Sequence, residues 1–205
     1  MNRSSEFEAR VADSILASIN VKERLLNNPE LVSSIAKVGE LLVSTFERGN
    51  KVLLFGNGGS AADAQHVAAE FVGRFAFDRS PLPALALSVD TSCLTAIGND
   101  YGFDQLFSRQ IEALANADDV AIGISTSGNS PNVVRALVVA RQKGLHTIAL
   151  TGCTGGKVES VADYCLRVPS KDTPRIQECH ILIGHIIAEL VEQAIFHEQS
   201  CVLRS

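Results

Sequence analysis

After Lys51 the chain alternates short apolar runs with amphipathic stretches, and this alternation limits the possible folds more than any other feature. Val52–Phe55, Ala84–Leu87, Val120–Ile124, Thr147–Leu150 and Tyr164–Val168 read as strands, with helical patterns between them near 61–77, 91–97, 104–115, 131–143 and 155–162. Strands separated by helices pair in parallel through right-handed crossovers. The expected fold is therefore α/β, a three-layer, helix-flanked, doubly wound parallel sheet of about five strands. Ligands of such a sheet bind beyond the carboxyl ends of its strands.

The first fifty residues carry a different pattern. Phe7, Val11, Ile15 and Ile19 recur every four residues, and Asn28-Pro29-Glu30 supplies an N-cap and a proline at the first helical position. Leu31, Ile35, Val38, Leu42 and Phe46 form a second stripe. Both helices need a cover for their apolar side, either the sheet or another subunit, so oligomerisation is expected. A last helix is expected from Pro174 to about Phe196. With 205 residues and 46% hydrophobic content, the chain suits one core. The expected organisation is a single domain over 1–205, with a helical segment at 1–48, an α/β core at 51–170 and a C-terminal helix at 174–198.

Composition excludes several classes of function. The formal net charge is −5 and no Lys/Arg run occurs, which argues against a nucleic-acid partner. Apolar stretches such as Ile181–Val191 are broken by Gly184, His185 and Glu189 and fall short of the ~20 residues that span a bilayer, so no membrane association is expected. MNRSSEFEAR has no apolar signal core, and a cytoplasmic location follows. Cys93, Cys153, Cys165, Cys179 and Cys201 are odd in number and scattered, which suits reduced thiols. Cys93, Cys165 and Cys179 are expected to be packing residues.

Two turns carry the chemistry. Gly56-Asn57-Gly58-Gly59-Ser60 follows the first strand and opens a helix, with glycines for a tight turn and Ser60 placed to cap it. Ser125-Thr126-Ser127-Gly128-Asn129-Ser130 repeats the strand, polar turn, helix order before Pro131. Hydroxyls and backbone N–H groups at helix starts can surround a phosphate without the lysine of a nucleotide P-loop. One such turn alone could be an ordinary helix cap; two after parallel strands favour an anion site. Gly56, Gly58 and Ala61 also fit a dinucleotide fingerprint, but Asp78 follows a helix and Asp90 lies too far on to serve the ribose.

His66 and Glu70 stand one turn apart on the helix after the first turn, on the side away from Ala64, Ala68, Phe71 and Phe75. They can share a proton, a substrate or a metal, or they form a solvated pair. The last helix adds Gln177, His180 and His185, with Ile176, Cys179, Ile183 and Ile187 as its apolar stripe. His185 needs a partner within so apolar a helix. His180, His146 and His197 are expected at the surface. Gln177 and His185 are separated by about 12 Å of helical rise. They can reach one ligand only with extended side chains or from different subunits.

GNGGSAADAQHVAAEF, AIGNDYGFDQLFSRQ, ISTSGNSPN and TPRIQECHILIGH, in that order across nearly the whole chain, resemble the phosphosugar-binding SIS family, and within it the sedoheptulose 7-phosphate isomerases of ADP-heptose synthesis. The resemblance implies a flavodoxin-like sheet, a homotetramer with active sites at subunit interfaces, and one zinc ion per site. It places metal ligands on His66, Glu70, Gln177 and His185. Sugar-phosphate contacts fall on Asn57, Gly58, Gly59, Asn99, Asp100, Ser125, Thr126, Ser127 and Ser130, with Glu70 and Gln177 also touching substrate. Ser60 belongs with this set by its place in the first turn. Some members carry Asp immediately before the R-I-Q motif; Pro174 stands one residue before Arg175 here, and no contact is carried over. The implied reaction is an aldose–ketose isomerisation through an enediol, with Glu70 and His185 as acid–base groups. A non-catalytic relative that binds the bacterial replication initiator is the alternative, a sugar-phosphate sensor or partner-binding module. It differs at the positions of Glu70 and His185, both of which this chain retains.

Overall fold

The computed structural model describes residues 3–196. Five parallel strands, β1 (Val52–Gly56), β2 (Ala84–Ala86), β3 (Val120–Ile124), β4 (His146–Thr151) and β5 (Tyr164–Arg167), form one sheet in the order β2-β1-β3-β4-β5. Register is continuous, with Val52 opposite Val120 and Val120 opposite His146. All five residues of β1 and of β3 are buried, as expected for strands covered on both faces.

Among the described residues, seven α-helices cover the two faces. On one face α1 (Arg3–Leu26), α2 (Pro29–Glu47), α3 (Gly59–Val72) and α7 (Thr173–Ile195) pack with Leu54, Ile122, Ile148 and Leu166. On the other, α4 (Thr91–Tyr101), α5 (Leu106–Leu114) and α6 (Pro131–Gln142) pack with Leu53, Phe55, Ala121 and Ala149. Alternate residues of each strand thus feed opposite cores, which gives the expected three layers. The chain turns back between β1 and β3, so the loops after these two strands open side by side at the switch point.

Several boundaries differ from expectation, each for a local reason. The helix expected over 61–77 ends at Val72, where Gly73 caps it. Phe75 and Ala76 then donate their N–H groups to the Glu192 carboxylate instead of continuing the helix. The helix expected over 155–162 is only a 3₁₀ turn, Lys157–Ser160, because Gly155 and Gly156 both take positive φ. Helix α4 runs four residues further than expected, to Tyr101, and stops at Gly102. Asn28 caps α2 as expected, its Oδ1 accepting from Leu31 N–H.

The cover for the N-terminal stripe is not the sheet. Phe7, Val11, Ile15 and Ile19 are 44–59% exposed, and only Val21 and Leu25 of α1 are buried. Among the described residues no helix is long and apolar enough to cross a membrane. Cys179 is buried, whereas Cys93 and Cys165 are only half-buried; Cys201 lies outside the described residues. Burial, aided by Glu159 and opposed by Arg167, pushes the Cys165 thiol up to about 11, which keeps it protonated and inert.

Candidate active site

Helices α3 and α7 run side by side and come into close contact at Gly184. A Cβ on Gly184 would stand 2.5 Å from Cγ2 of Val67. The residues next to this contact are His66 and His185, so the close packing brings their rings together, centroids 5.0 Å apart and planes inclined by 55°. The two Nε2 atoms are 2.8 Å apart, within hydrogen-bond distance. His66 Nε2 is also 3.1 Å from Oε1 of Glu70. One ligand atom from each of His66, Glu70 and His185 lies within 4.8 Å of the other two. Phe75 closes one side, its ring 5.8 Å from that of His185. The Glu70 side chain is 20% exposed and that of His66 51%, so the pair stands at the surface with its carboxylate partly covered.

The donor set fits a divalent cation. Two imidazole nitrogens and a carboxylate oxygen converging on one point suit Zn²⁺ without excluding other divalent ions. Gln177 lies on the same helix as His185. Its amide lies against Gly59, where any Cβ would overlap it, two turns before His185 on α7.

The second turn is a tight, hydroxyl-lined loop at the start of α6. Ser125 Oγ and Ser130 Oγ are 3.0 Å apart, and Gly128 N–H donates to Ser125 O. Gly128 has φ +67°, and a Cβ there would overlap the Gly155 carbonyl, so only glycine permits this tight loop. The N–H groups of Thr126, Ser127 and Ser130 have no protein acceptor among the described residues. They open onto the N-terminus of α6, whose partial positive charge favours a phosphate.

The first turn differs from the expected cap. Gly58, at φ +56°, occupies the cap position of α3, and Ser60 is buried inside the first helical turn, making no cap bond. Asn57 is tied to Asn132 by two reciprocal amide bonds, each 2.9 Å, which lock the turn after β1 to the start of α6. Asn132 was not anticipated from sequence; its only signal is a polar residue on the inner side of an otherwise apolar helix start.

Asn99 and Asp100 sit at the exposed end of α4, with Asn99 Nδ2 donating to Asp100 Oδ1 at 2.7 Å. Asp100 lines a hollow of about 460 Å³ beside the edge strand β2, shared with Val89, Tyr101 and Arg109. These two residues are apart from the His66 cluster within one chain.

His180 is corrected from surface to core. It is 1% exposed, with Nε2 3.3 Å from the Thr151 carbonyl, and burial lowers its pKa to about 4. It falls four residues after Ile176 and three before Ile183, on the same buried stripe. Asp63 lines the same small interior space as His180, and burial raises its pKa against the opposing influence of His66. His146 is half-buried rather than exposed, and His197 lies outside the described residues.

A doubly wound sheet with two glycine- and serine-rich turns at its switch point is the architecture of a sugar-phosphate type α/β domain, and the family model described as SIS domain matches residues 18–152. The phosphoheptose isomerase of Aneurinibacillus thermoaerophilus is 58% identical over 185 residues, spanning 90% of this chain and 93% of that one. Phosphoheptose isomerase 2 of Campylobacter jejuni is 52% identical over 195 residues, 95% of each chain. The structure of phosphoheptose isomerase GmhA from Neisseria gonorrhoeae superposes with a TM-score of 0.86 at 46% identity, covering 91% of this chain and 99% of that one. The chain belongs to the phosphoheptose isomerase family of SIS-domain proteins.

Proposed function

We propose that the protein isomerises D-sedoheptulose 7-phosphate to D-glycero-D-manno-heptose 7-phosphate, the first step of ADP-heptose synthesis for the lipopolysaccharide core. The observation that carries this reading is the convergence of Glu70 and His185, with His66, beside an anion-type turn on a fold whose named relatives are phosphoheptose isomerases.

The Ser125–Ser130 turn would hold the 7-phosphate through its hydroxyls and unpartnered N–H groups. The sugar would extend toward Glu70, with the Gly58–Gly59 backbone and Gln177 along the way. The Glu70 carboxylate takes a proton from C1 of the ketose, and the electron pair left behind forms the C1–C2 double bond of an enediol. Returning that proton to C2 gives the aldose. His185 moves a proton between O2 and O1, so the oxygen charges balance as the carbon proton shifts. A divalent cation, zinc by its donor set, would be held by His66, Glu70 and His185, with Gln177 completing the set. It would supply Lewis-acid polarisation of the carbonyl.

Asn99 and Asp100 stand on α4, which packs on the opposite face of the sheet from α3 and α7, so their part in the site implies a neighbouring subunit. The exposed stripe of α1 and the hollow beside β2, with Leu85, Val89 and Tyr101 exposed around it, supply apolar area for such contacts. The reading is thus a homotetramer with shared active sites, acting in the cytoplasm. Incubation of the purified protein with sedoheptulose 7-phosphate, followed by NMR, tests the reaction. An aldoheptose 7-phosphate is expected. Substrate that binds and stays unchanged would overturn the isomerase reading and favour the sensor or partner-binding one.

A further inference from the structure

Beyond the residues that face substrate, a buried ion pair lies between the two helices of the site. Arg79 and Glu192 have side chains only 1% exposed, and Arg79 Nε stands 3.0 Å from Glu192 Oε1. Neither residue belongs to the reacting cluster, and each makes more bonds than a pair needs for its own sake. Arg79 Nη2 donates to the carbonyl of Glu70 at 2.7 Å, and Nη1 donates to the carbonyls of Phe71 at 2.7 Å and Ser80 at 3.0 Å. The guanidinium therefore takes up carbonyls at the C-terminal end of α3, where a cation is favoured by the helix dipole. Glu192 accepts from the N–H groups of Phe75 at 2.8 Å and Ala76 at 2.7 Å. The Phe196 ring covers the guanidinium, 5.5 Å from it.

The placement of these bonds relates directly to the site. Arg79 grips the backbone of Glu70 itself. Glu192 lies seven residues after His185 on α7, two turns along the same helix, and it holds the backbone of Phe75, whose ring rests on His185. One ion pair thus joins the turn that carries Glu70, the residue that backs His185, and the helix that carries His185.

We propose that Arg79 and Glu192 are positioning residues that set the spacing of the Glu70 carboxylate and the His185 imidazole for proton transfer. The role rests on the isomerase reading above. A buried ion pair adds little stability compared with apolar replacements of the same volume, so what marks this one is where its bonds fall, on the backbones of Glu70 and Phe75. A lysine at 79 keeps the charge but has no planar fork, so it cannot reach Glu192 and the carbonyls of Glu70 and Phe71 together.

The test uses the full-length protein with Arg79→Lys and the isosteric Glu192→Gln. In each variant kcat is expected to fall ~10²-fold, the usual consequence of displacing a reacting group by about 1 Å, with KM within about threefold. The ring signals of His66 and His185 in ¹H–¹³C NMR spectra are expected to move from their wild-type positions while the rest of the spectrum stays folded. Folded variants with wild-type kcat and unmoved ring signals overturn the proposal. So does a loss of activity that matches the fraction unfolded, which would make the pair a stability element only. If Arg79→Lys does not fold, Glu192→Gln carries the same two readouts. If the wild-type protein fails to isomerise the sugar phosphate, the isomerase reading falls, and the histidine signals still decide whether the pair sets the cluster's geometry.

Discussion

Replacing Gly184 by alanine should separate stability from activity in a way the geometry makes quantitative. The added Cβ would stand 2.5 Å from Val67 Cγ2, against the ~3.5–4.0 Å of a normal carbon contact. The β-branched valine has little rotamer freedom within a helix, so α3 and α7 must separate by roughly 1 Å. Overpacking of this kind costs about 1–3 kcal/mol, and alanine returns about 1 kcal/mol through its better helix propensity. The net loss is then about 0–2 kcal/mol. For a chain of this length that lowers the melting temperature by at most about 8 °C. Activity should respond far more. The contact lies between Val67 and Gly184, each adjacent to a histidine of the cluster, so the 2.8 Å spacing of the Nε2 atoms opens with the helices. A shift of about 1 Å in a reacting group costs ~10²-fold in rate. Calorimetry and steady-state kinetics on Gly184→Ala, and on Gly184→Ala with Val67→Ala, provide the assay. Removing the valine methyls should recover most of the lost kcat. A single variant with wild-type kcat, or a double variant with no recovery, would refute the link between this helix contact and the cluster.

Ser130→Ala should raise KM about tenfold or more with little change in kcat, because a hydroxyl bonded to a charged group contributes about 1.5–3 kcal/mol; steady-state kinetics measures it. His180 makes stability depend on pH in a defined window. Its folded pKa of about 4 lies below the ordinary 6.5, so between these values the unfolded chain binds more protons, and stability falls as pH drops from 6.5 toward 4. The loss amounts to about 3 kcal/mol from this group, and His180→Gln should flatten that part of a melting curve against pH. Elemental analysis of the purified protein should find one divalent ion per chain, and chelation should abolish activity, with zinc restoring it. A metal-free, fully active preparation would remove zinc from the account.

Much of the fold was legible because the period of hydrophobicity is set by burial. Strands β1 and β3 read as continuous apolar runs since helices cover both their faces, and Asn28-Pro29 marked the start of α2 through its cap. The His66–Glu70 pair was legible for the same reason, standing opposite Ala64, Ala68 and Phe71. Phe75 was not, because the end of α3 is decided by Glu192, a residue 117 positions further on in sequence. Local propensity contains no trace of such a bond. Glu192 does leave a sign: with Gly184 and Ala188 it lies on one i, i+4, i+8 row of small or buried positions, where a charge needs a partner. His180 was misplaced by choosing Cys179 for a stripe that includes both. The place of the hydroxyl turn between β3 and α6 was legible, yet the lock between Asn57 and Asn132 that joins the two turns depends on tertiary pairing of loops 75 residues apart.

The central claim is that Glu70, set against His185, carries the proton between C1 and C2. Wild-type protein and Glu70→Gln, each incubated with sedoheptulose 7-phosphate in D₂O and followed by NMR, test it most directly. The account predicts an aldoheptose 7-phosphate with deuterium entering at C1 or C2 for the wild type, and both product and exchange slowed by ~10²–10⁴-fold in the variant. Isotope exchange at the wild-type rate in Glu70→Gln would contradict it.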